Sequence, residues 1–137
     1  MAVTRHRYAL EALEALDAPV TRRNLWALGA WMQAEGGSAK FNPMNTTQDM
    51  AGATDYNWVG VKNYRDLDDG VRAFVKTLNY TGHGYEGIKR GLRQNRWASK
   101  TLLALLRSDW GTGALALACL PFVKVDYHRY SRKHIGQ

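Results

Sequence analysis

Apolar residues recur at helical spacing from about Arg5 to Leu16, through Ala9, Ala12, Leu13 and Leu16, which predicts a first helix. Asp17, Ala18 and Pro19 end it. Thr21 is placed to cap a second helix over about Arg22 to Glu35. That segment is apolar on more than one face: Leu25, Leu28 and Met32 form one stripe, and Ala27, Ala30, Trp31 and Ala34 form another. A helix apolar nearly all round belongs in the middle of a domain. From Gly36 to Tyr64 the periodicity fades and Gly, Asn and Thr accumulate, predicting an irregular loop with a short hairpin around Tyr56 to Tyr64.

Periodicity returns after Asp66, an N-cap with Asp68 and Asp69 at the positive helix end, and Leu67, Val71, Phe74, Val75 and Leu78 form the stripe to be buried. A glycine-rich turn, Thr81 to Gly84, leads to a short helix carrying Ile88 and Leu92. Ser99 is expected to cap a helix with Leu102, Leu103, Leu105 and Leu106. Ser108 to Gly113 reads as a turn, and Ala114 to about Tyr130 as helical with an interruption near Pro121. Without repeats or a linker, the 137 residues read as one domain, 1–137, of α+β class and mainly α.

Composition narrows the partners. The net charge of +7 attracts polyanions, among them nucleic acid, anionic lipid and the bacterial wall. Lys and Arg are spread along the chain rather than gathered into a run, so no dedicated nucleic-acid binding is expected. No apolar run approaches bilayer length, so no membrane span is expected. The basic start, Met1 to Tyr8, meets Glu11, Glu14 and Asp17 where a signal peptide needs an apolar core, so the expectation is synthesis in a cytoplasm without an export signal. Cys119 is the only cysteine and lies in an apolar run, Leu115 to Leu120, which reads as a buried thiol. His6, His83, His128 and His134 lack metal-ligand spacing, so neither a metal nor any other cofactor is expected. His83, between two glycines, reads as an exposed turn residue.

Glu35 stands apart. It continues the Leu25, Leu28, Met32 stripe, it is the only carboxylate between Asp17 and Asp49, and two glycines follow it. Glycines there end the helix and let another backbone or a ligand come close. Carboxyl groups held against apolar neighbours are the ones that serve as general acids, because desolvation disfavours the charged form. Position alone leaves a second role open, in which the carboxylate accepts hydrogen bonds from loop groups or pairs with an arginine.

The blocks around Glu35 carry a resemblance. Trp31-Met32-Gln33-Ala34-Glu35-Gly36-Gly37 is followed by Asn42-Pro43-Met44-Asn45-Thr46-Thr47, then Gly52-Ala53-Thr54-Asp55-Tyr56-Asn57, then Val59-Gly60-Val61-Lys62-Asn63-Tyr64. Together with Asp69-Gly70, Lys76-Thr77-Leu78-Asn79 and Trp110-Gly111-Thr112-Gly113, this order resembles a lysozyme-like domain of actinobacterial phage proteins, akin to goose-type lysozymes and lytic transglycosylases. The likeness runs from about Leu25 to Gly113. It implies a lysozyme-like fold whose central helix ends in the catalytic glutamate. Glu35 would then protonate the glycosidic oxygen between N-acetylmuramic acid and N-acetylglucosamine in peptidoglycan. The resemblance further implies that Gly60 to Tyr64 lines the sugar groove. Asn57, Asn63 and Tyr64 would supply hydrogen bonds, Tyr64 or Trp58 would stack on a sugar, and Trp110 joins the substrate-binding set. For each groove residue a plain turn or packing role is the competing reading.

Two-carboxylate glycosidases need a nucleophile or base beside the acid. Asp49 and Asp55 are the candidates, with Asp55 preferred because it falls in a matched block, although such residues in Gly/Thr-rich loops are more commonly turn formers. Lytic transglycosylases dispense with that group, so hydrolysis and transglycosylation both stay open. A virion tail or baseplate protein that keeps the fold for assembly is the alternative to an enzyme. The segment 114–137 bears on that choice: Lys124, Arg129, Arg132, Lys133 and His134 beside Phe122, Tyr127 and Tyr130 would suit docking to another tail protein or to the anionic wall.

Overall fold

A computed structural model describes residues 2–125. It is mainly helical, with six α-helices and one two-stranded sheet. Helix α1 spans Ala2–Ala15, starting before the predicted Arg5. It ends in a left-handed Asp17 (φ 58°), with Asp17 N donating to Glu14 O and Ala18 N to Leu13 O. Those two bonds satisfy carbonyls that the end of a helix otherwise leaves open.

Helix α2, Arg22–Glu35, has the predicted bounds, and Thr21 caps it by accepting from Asn24 N. It is the central element: α1, α5 and α6 all pack on it. Both predicted stripes are buried, Leu25, Leu28 and Met32 together with Ala27, Ala30 and Trp31, while Ala34 is half-buried. Asn24, fully buried in the first turn, ties α2 to its surroundings by donating to Pro19 O and Leu92 O.

The irregular segment contains a small hairpin. Strands β1 (Thr54–Asp55) and β2 (Lys62–Asn63) pair antiparallel, Thr54 opposite Asn63 and Asp55 opposite Lys62. The strands flank a turn closed by Tyr56 N donating to Val61 O. Buried Asn42 organises the loop between α2 and this hairpin: its Nδ2 donates to Thr46 O and Lys62 O, and its Oδ1 accepts from Thr46 N.

Helix α3 (Leu67–Leu78) starts at Asp66, whose side chain accepts from Asp69 N. Its Gly70 lies against Phe41 O so closely that a Cβ would overlap it, which brings the 40s loop onto the helix. Helix α4 spans Tyr85–Arg93 and α5 spans Ala98–Leu106. The predicted Ser99 cap is corrected: Trp97 occupies the N-cap without a side-chain hydrogen bond, and Ser99 lies inside the first turn. Helix α6 covers only Gly113–Cys119, and a 3-10 turn, Leu120–Phe122, follows at Pro121. Val123 is extended, so the chain leaves the helical path there. The remainder of the predicted helix, and Tyr127, His128, Arg129, Tyr130, Arg132, Lys133 and His134, lie outside the described residues. Cys119 is half-buried, a correction to the buried thiol expected in that run.

Residues of every helix enter one core, with Trp31, Tyr8, Phe74, Leu13, Leu28 and Ile88 among its largest side chains. Among the described residues no helix is long and apolar enough to cross a membrane.

Candidate functional site

The end of α2 is built to present Glu35. Gly36 takes the left-handed conformation (φ 60°) and its N–H returns to Met32 O, closing the helix. Gly37 sits where a Cβ would fall 2.5 Å from Pro43 O, so the loop passes directly against the helix end. The two glycines therefore do different things. One permits the backbone angle, and the other permits the approach.

Three side chains from two distant loops converge on the Glu35 carboxylate. Trp110 Nε1 and Thr112 Oγ1 both donate to Oε2 at 2.8 Å, and Asn45 Nδ2 donates to Oε1 at 3.1 Å. The same Asn45 amide reaches Glu35 O, also at 3.1 Å. Asn45 adopts φ 56°, a conformation that asparagine tolerates better than most residues. Glu35 is half-buried and accepts from three loop side chains, the second role that its position left open, rather than lying against apolar neighbours alone.

Trp110 is held by rings. Its indole lies edge-on to Trp31 at 4.9 Å, and also meets Phe74 at 5.9 Å and Tyr85 at 5.8 Å. Trp31 is one helical turn before Glu35 on the same helix, so the residue that seats Trp110 and the residue that receives its hydrogen bond share a face. The turn carrying Trp110 is pinned by Ser108, whose Oγ donates to Leu105 O and accepts from Trp110 N. Gly113 packs against the Leu106 backbone with no room for a Cβ, which brings Thr112 in beside the carboxylate.

Of the predicted site residues, the structure joins Glu35 and Trp110 directly. The others lie on or beside the hairpin. Asp55 is exposed and paired with Lys62 at 2.7 Å, and Asp49 approaches the same ammonium at 3.4 Å. Asp55 first, then Asp49, hold the Lys62 pKa above its ordinary value. Neither aspartate shares a hydrogen bond with Glu35 or its three donors among the described residues. Asn57 accepts from Val61 N, the turn role named as its competing reading. Trp58 projects from that turn, 95% exposed. Asn63 accepts from Lys40 N and donates to Thr54 Oγ1 and Asp55 O, bracing the hairpin. Tyr64 corrects its expectation. It is 2% exposed, its hydroxyl donates to Gln48 O and pairs with Thr46 Oγ1, and its ring has no open face on which a sugar could stack. Desolvation raises its pKa.

Asn45 and Thr112 stood inside matched blocks without being singled out as site residues. The signal was available only in part: an asparagine in a run with Pro43, Thr46 and Thr47 suggests a turn, but nothing in one dimension says that positions 45 and 112 face position 35. A second pair borders the site. Asp109, adjacent to Trp110, meets His83 Nδ1 at 3.0 Å, and the His83 ring stacks on Tyr85. His83 is exposed, as its flanking glycines suggest.

Among the described residues no group of three or more His, Cys, Asp or Glu side chains is placed to hold a metal ion. Comparison with protein-family models, with curated proteins and with solved structures finds no match.

Proposed function

We propose that this protein is a lysozyme-like glycosidase of phage origin that cleaves the β-1,4 bond between N-acetylmuramic acid and N-acetylglucosamine, with Glu35 as its acid. The observation that supports this best is the fixed Glu35 carboxylate: two donors engage Oε2 and one engages Oε1. Oε1 accepts from one side chain against two at Oε2, so it keeps the greater free capacity for a substrate proton. Pre-set orientation is what general acid catalysis asks of such a group. The charge of +7 suits an anionic wall.

Asp49 and Asp55, tied to Lys62 on the hairpin, favour a single-glutamate route over a two-carboxylate one. In that route Glu35 gives its proton to the leaving glycosidic oxygen as the bond from the muramic anomeric carbon breaks. The muramic 6-hydroxyl then bonds to that carbon and returns its proton to Glu35, leaving an anhydro end. The protein would work at the cell wall, released on lysis or carried on a virion.

The same three hydrogen bonds favour one other reading. A carboxylate held this way also ties α2 to the 40s loop and to the turn before α6, as a tail or baseplate component that uses the fold for assembly would need.

One experiment separates them. Purified protein is incubated with sacculi of several stem-peptide chemotypes, the released fragments are analysed by mass spectrometry, and Glu35→Gln is run beside it. The enzyme reading expects release that falls by about two to four orders of magnitude in the variant. Anhydro ends identify the single-glutamate route, and reducing ends identify hydrolysis. No release from any wall by folded wild type overturns the enzyme reading in favour of assembly.

A further inference from the structure

The other end of α2 carries an open cavity of about 350 Å³, lined by Arg22, Arg23, Trp26, Trp97, Ala98, Ser99 and Leu120. Two features set it apart from ordinary surface. First, it gathers two accessible tryptophans. Trp97 is 62% exposed at the N-cap of α5, a position where small polar residues are favoured because they cap the helix. Trp26 is 36% exposed on a helix half of whose residues are buried, with its indole N–H already satisfied by Leu120 O at 2.8 Å. Trp26 therefore offers ring surface rather than an unpaired donor.

Second, the charge on the cavity wall has one sign. The lining includes two arginines and no carboxylate. The Arg23 guanidinium lies 3.7 Å from the centroid of the Trp97 ring. It also donates through Nη1 to Asn95 O, which uses a single N–H of its fork. A guanidinium held over an indole and anchored to the backbone is already ordered, so a ligand that meets it loses less side-chain freedom on binding. Indole faces suit the C–H faces of sugar rings, and a guanidinium fork suits a carboxylate. Both occur together in a glycan that carries acid groups.

We propose that this cavity is a second binding site, for an anionic glycan strand, separate from the Glu35 site; the choice of a glycan over other anionic polymers rests on the proposed function. The two sites sit at opposite ends of a 14-residue helix. At about 1.5 Å per residue they are roughly 20 Å apart along its axis, too far to be one subsite. Trp26 lies nine residues before Glu35, about half a turn round α2, so the cavity would hold a neighbouring stretch of the glycan rather than the sugars at Glu35.

The test uses the full chain carrying Glu35→Gln, so that strands persist, and follows the indole N–H resonances of Trp26, Trp97 and Trp110. Peptide-free strands of alternating N-acetylglucosamine and N-acetylmuramic acid, whose lactyl groups carry free carboxylates, are titrated in. Neutral chitin oligosaccharides and a single-stranded oligonucleotide run in parallel. The strands are expected to shift Trp26 and Trp97; Trp97→Ala, followed at Trp26, and Arg23→Gln, followed at both, should weaken binding about tenfold. Raised salt should weaken it as well. In the otherwise wild-type chain, Trp97→Ala should raise KM for long strands and leave kcat and short substrates unchanged. Equal binding of neutral chitin at Trp97 overturns the anionic part of the proposal. Tighter binding of the oligonucleotide there overturns the glycan. Cleavage by the wild type with no response at Trp97 overturns the second site alone, whereas a Trp97 response without any cleavage overturns the enzyme reading and keeps this one.

Discussion

The two oxygens of Glu35 are unequally engaged, and the difference can be tested one donor at a time. Trp110→Phe keeps an aromatic ring among Trp31, Phe74 and Tyr85 but removes the N–H that donates to Oε2. Thr112→Val keeps the volume and removes the hydroxyl. Hydrogen bonds to a charged group are worth about 1.5–3 kcal/mol, and the half-buried setting of Glu35 brings the expectation to about 1–2 kcal/mol for each variant in denaturant unfolding. If the carboxylate is catalytic, cleavage should fall about tenfold in each, and Thr112→Ser should restore it, since serine returns the hydroxyl without the methyl group. Unfolding midpoints and turnover, measured on the same preparations, separate the loss of stability from the loss of orientation.

Among the elements, the end of α2 gives the sharpest contrast. Gly36 has open space around its Cβ position but a left-handed φ of 60°, so Gly36→Ala costs only the conformational penalty, about 1–2 kcal/mol. Gly37 has an unremarkable φ but would place a Cβ 2.5 Å from the Pro43 carbonyl. Gly37→Ala must push the loop off the helix end, and a loss of about 3 kcal/mol in urea unfolding is expected, with Asn45 drawn away from Glu35. Equal effects of the two substitutions would mean that the loop is not seated as described. The run Glu-Gly-Gly announced a helix end in the sequence; that its second glycine is needed for a contact with Pro43 depends on where the loop returns.

At the scale of the whole molecule, the core sets a pH limit. Tyr8 is fully buried between α1 and α3, packed on Phe74 with ring centroids 5.9 Å apart. Its hydroxyl has no hydrogen-bond partner among the described residues. Desolvation, with a smaller contribution from Tyr64, raises its pKa well above the ordinary tyrosine value. The folded state therefore keeps a proton that the unfolded chain releases above about pH 10, so stability is intact below that pH and falls as pH rises further. One such group contributes a slope of about 1.4 kcal/mol per pH unit until its folded pKa is reached. Tyr8→Phe should flatten this alkaline fall in pH-dependent unfolding. Tyr64 and Tyr85, whose pKa values burial also raises, leave a residual slope. At neutral pH the variant should be neutral or more stable by about 1 kcal/mol, because it removes a buried hydroxyl that bonds to nothing described. A strong destabilisation at neutral pH would show that the hydroxyl has a partner after all.

The sequence by itself determined the helices whose signals are local. Thr21 and Asp66 cap the helices they were expected to cap, the α2 stripes are buried, and Glu35 is marked as the carboxylate ending a central helix, because caps and 3.6-residue periodicity act within one or two turns. It misplaced the α5 start, since a tryptophan at an N-cap carries no capping signal, and it took Tyr64 for a groove residue although the 40s loop covers it. The tertiary structure alone decided what surrounds Glu35. Asn45 lies 10 positions away, Trp110 75 and Thr112 77. Their convergence depends on three close backbone approaches: Gly70 against Phe41, 29 positions apart, and the tighter returns of Gly37 against Pro43 and Gly113 against Leu106, 6 and 7 apart. No local pattern of side chains records which backbones will meet, and so the carboxylate could be found in the sequence while its partners could not.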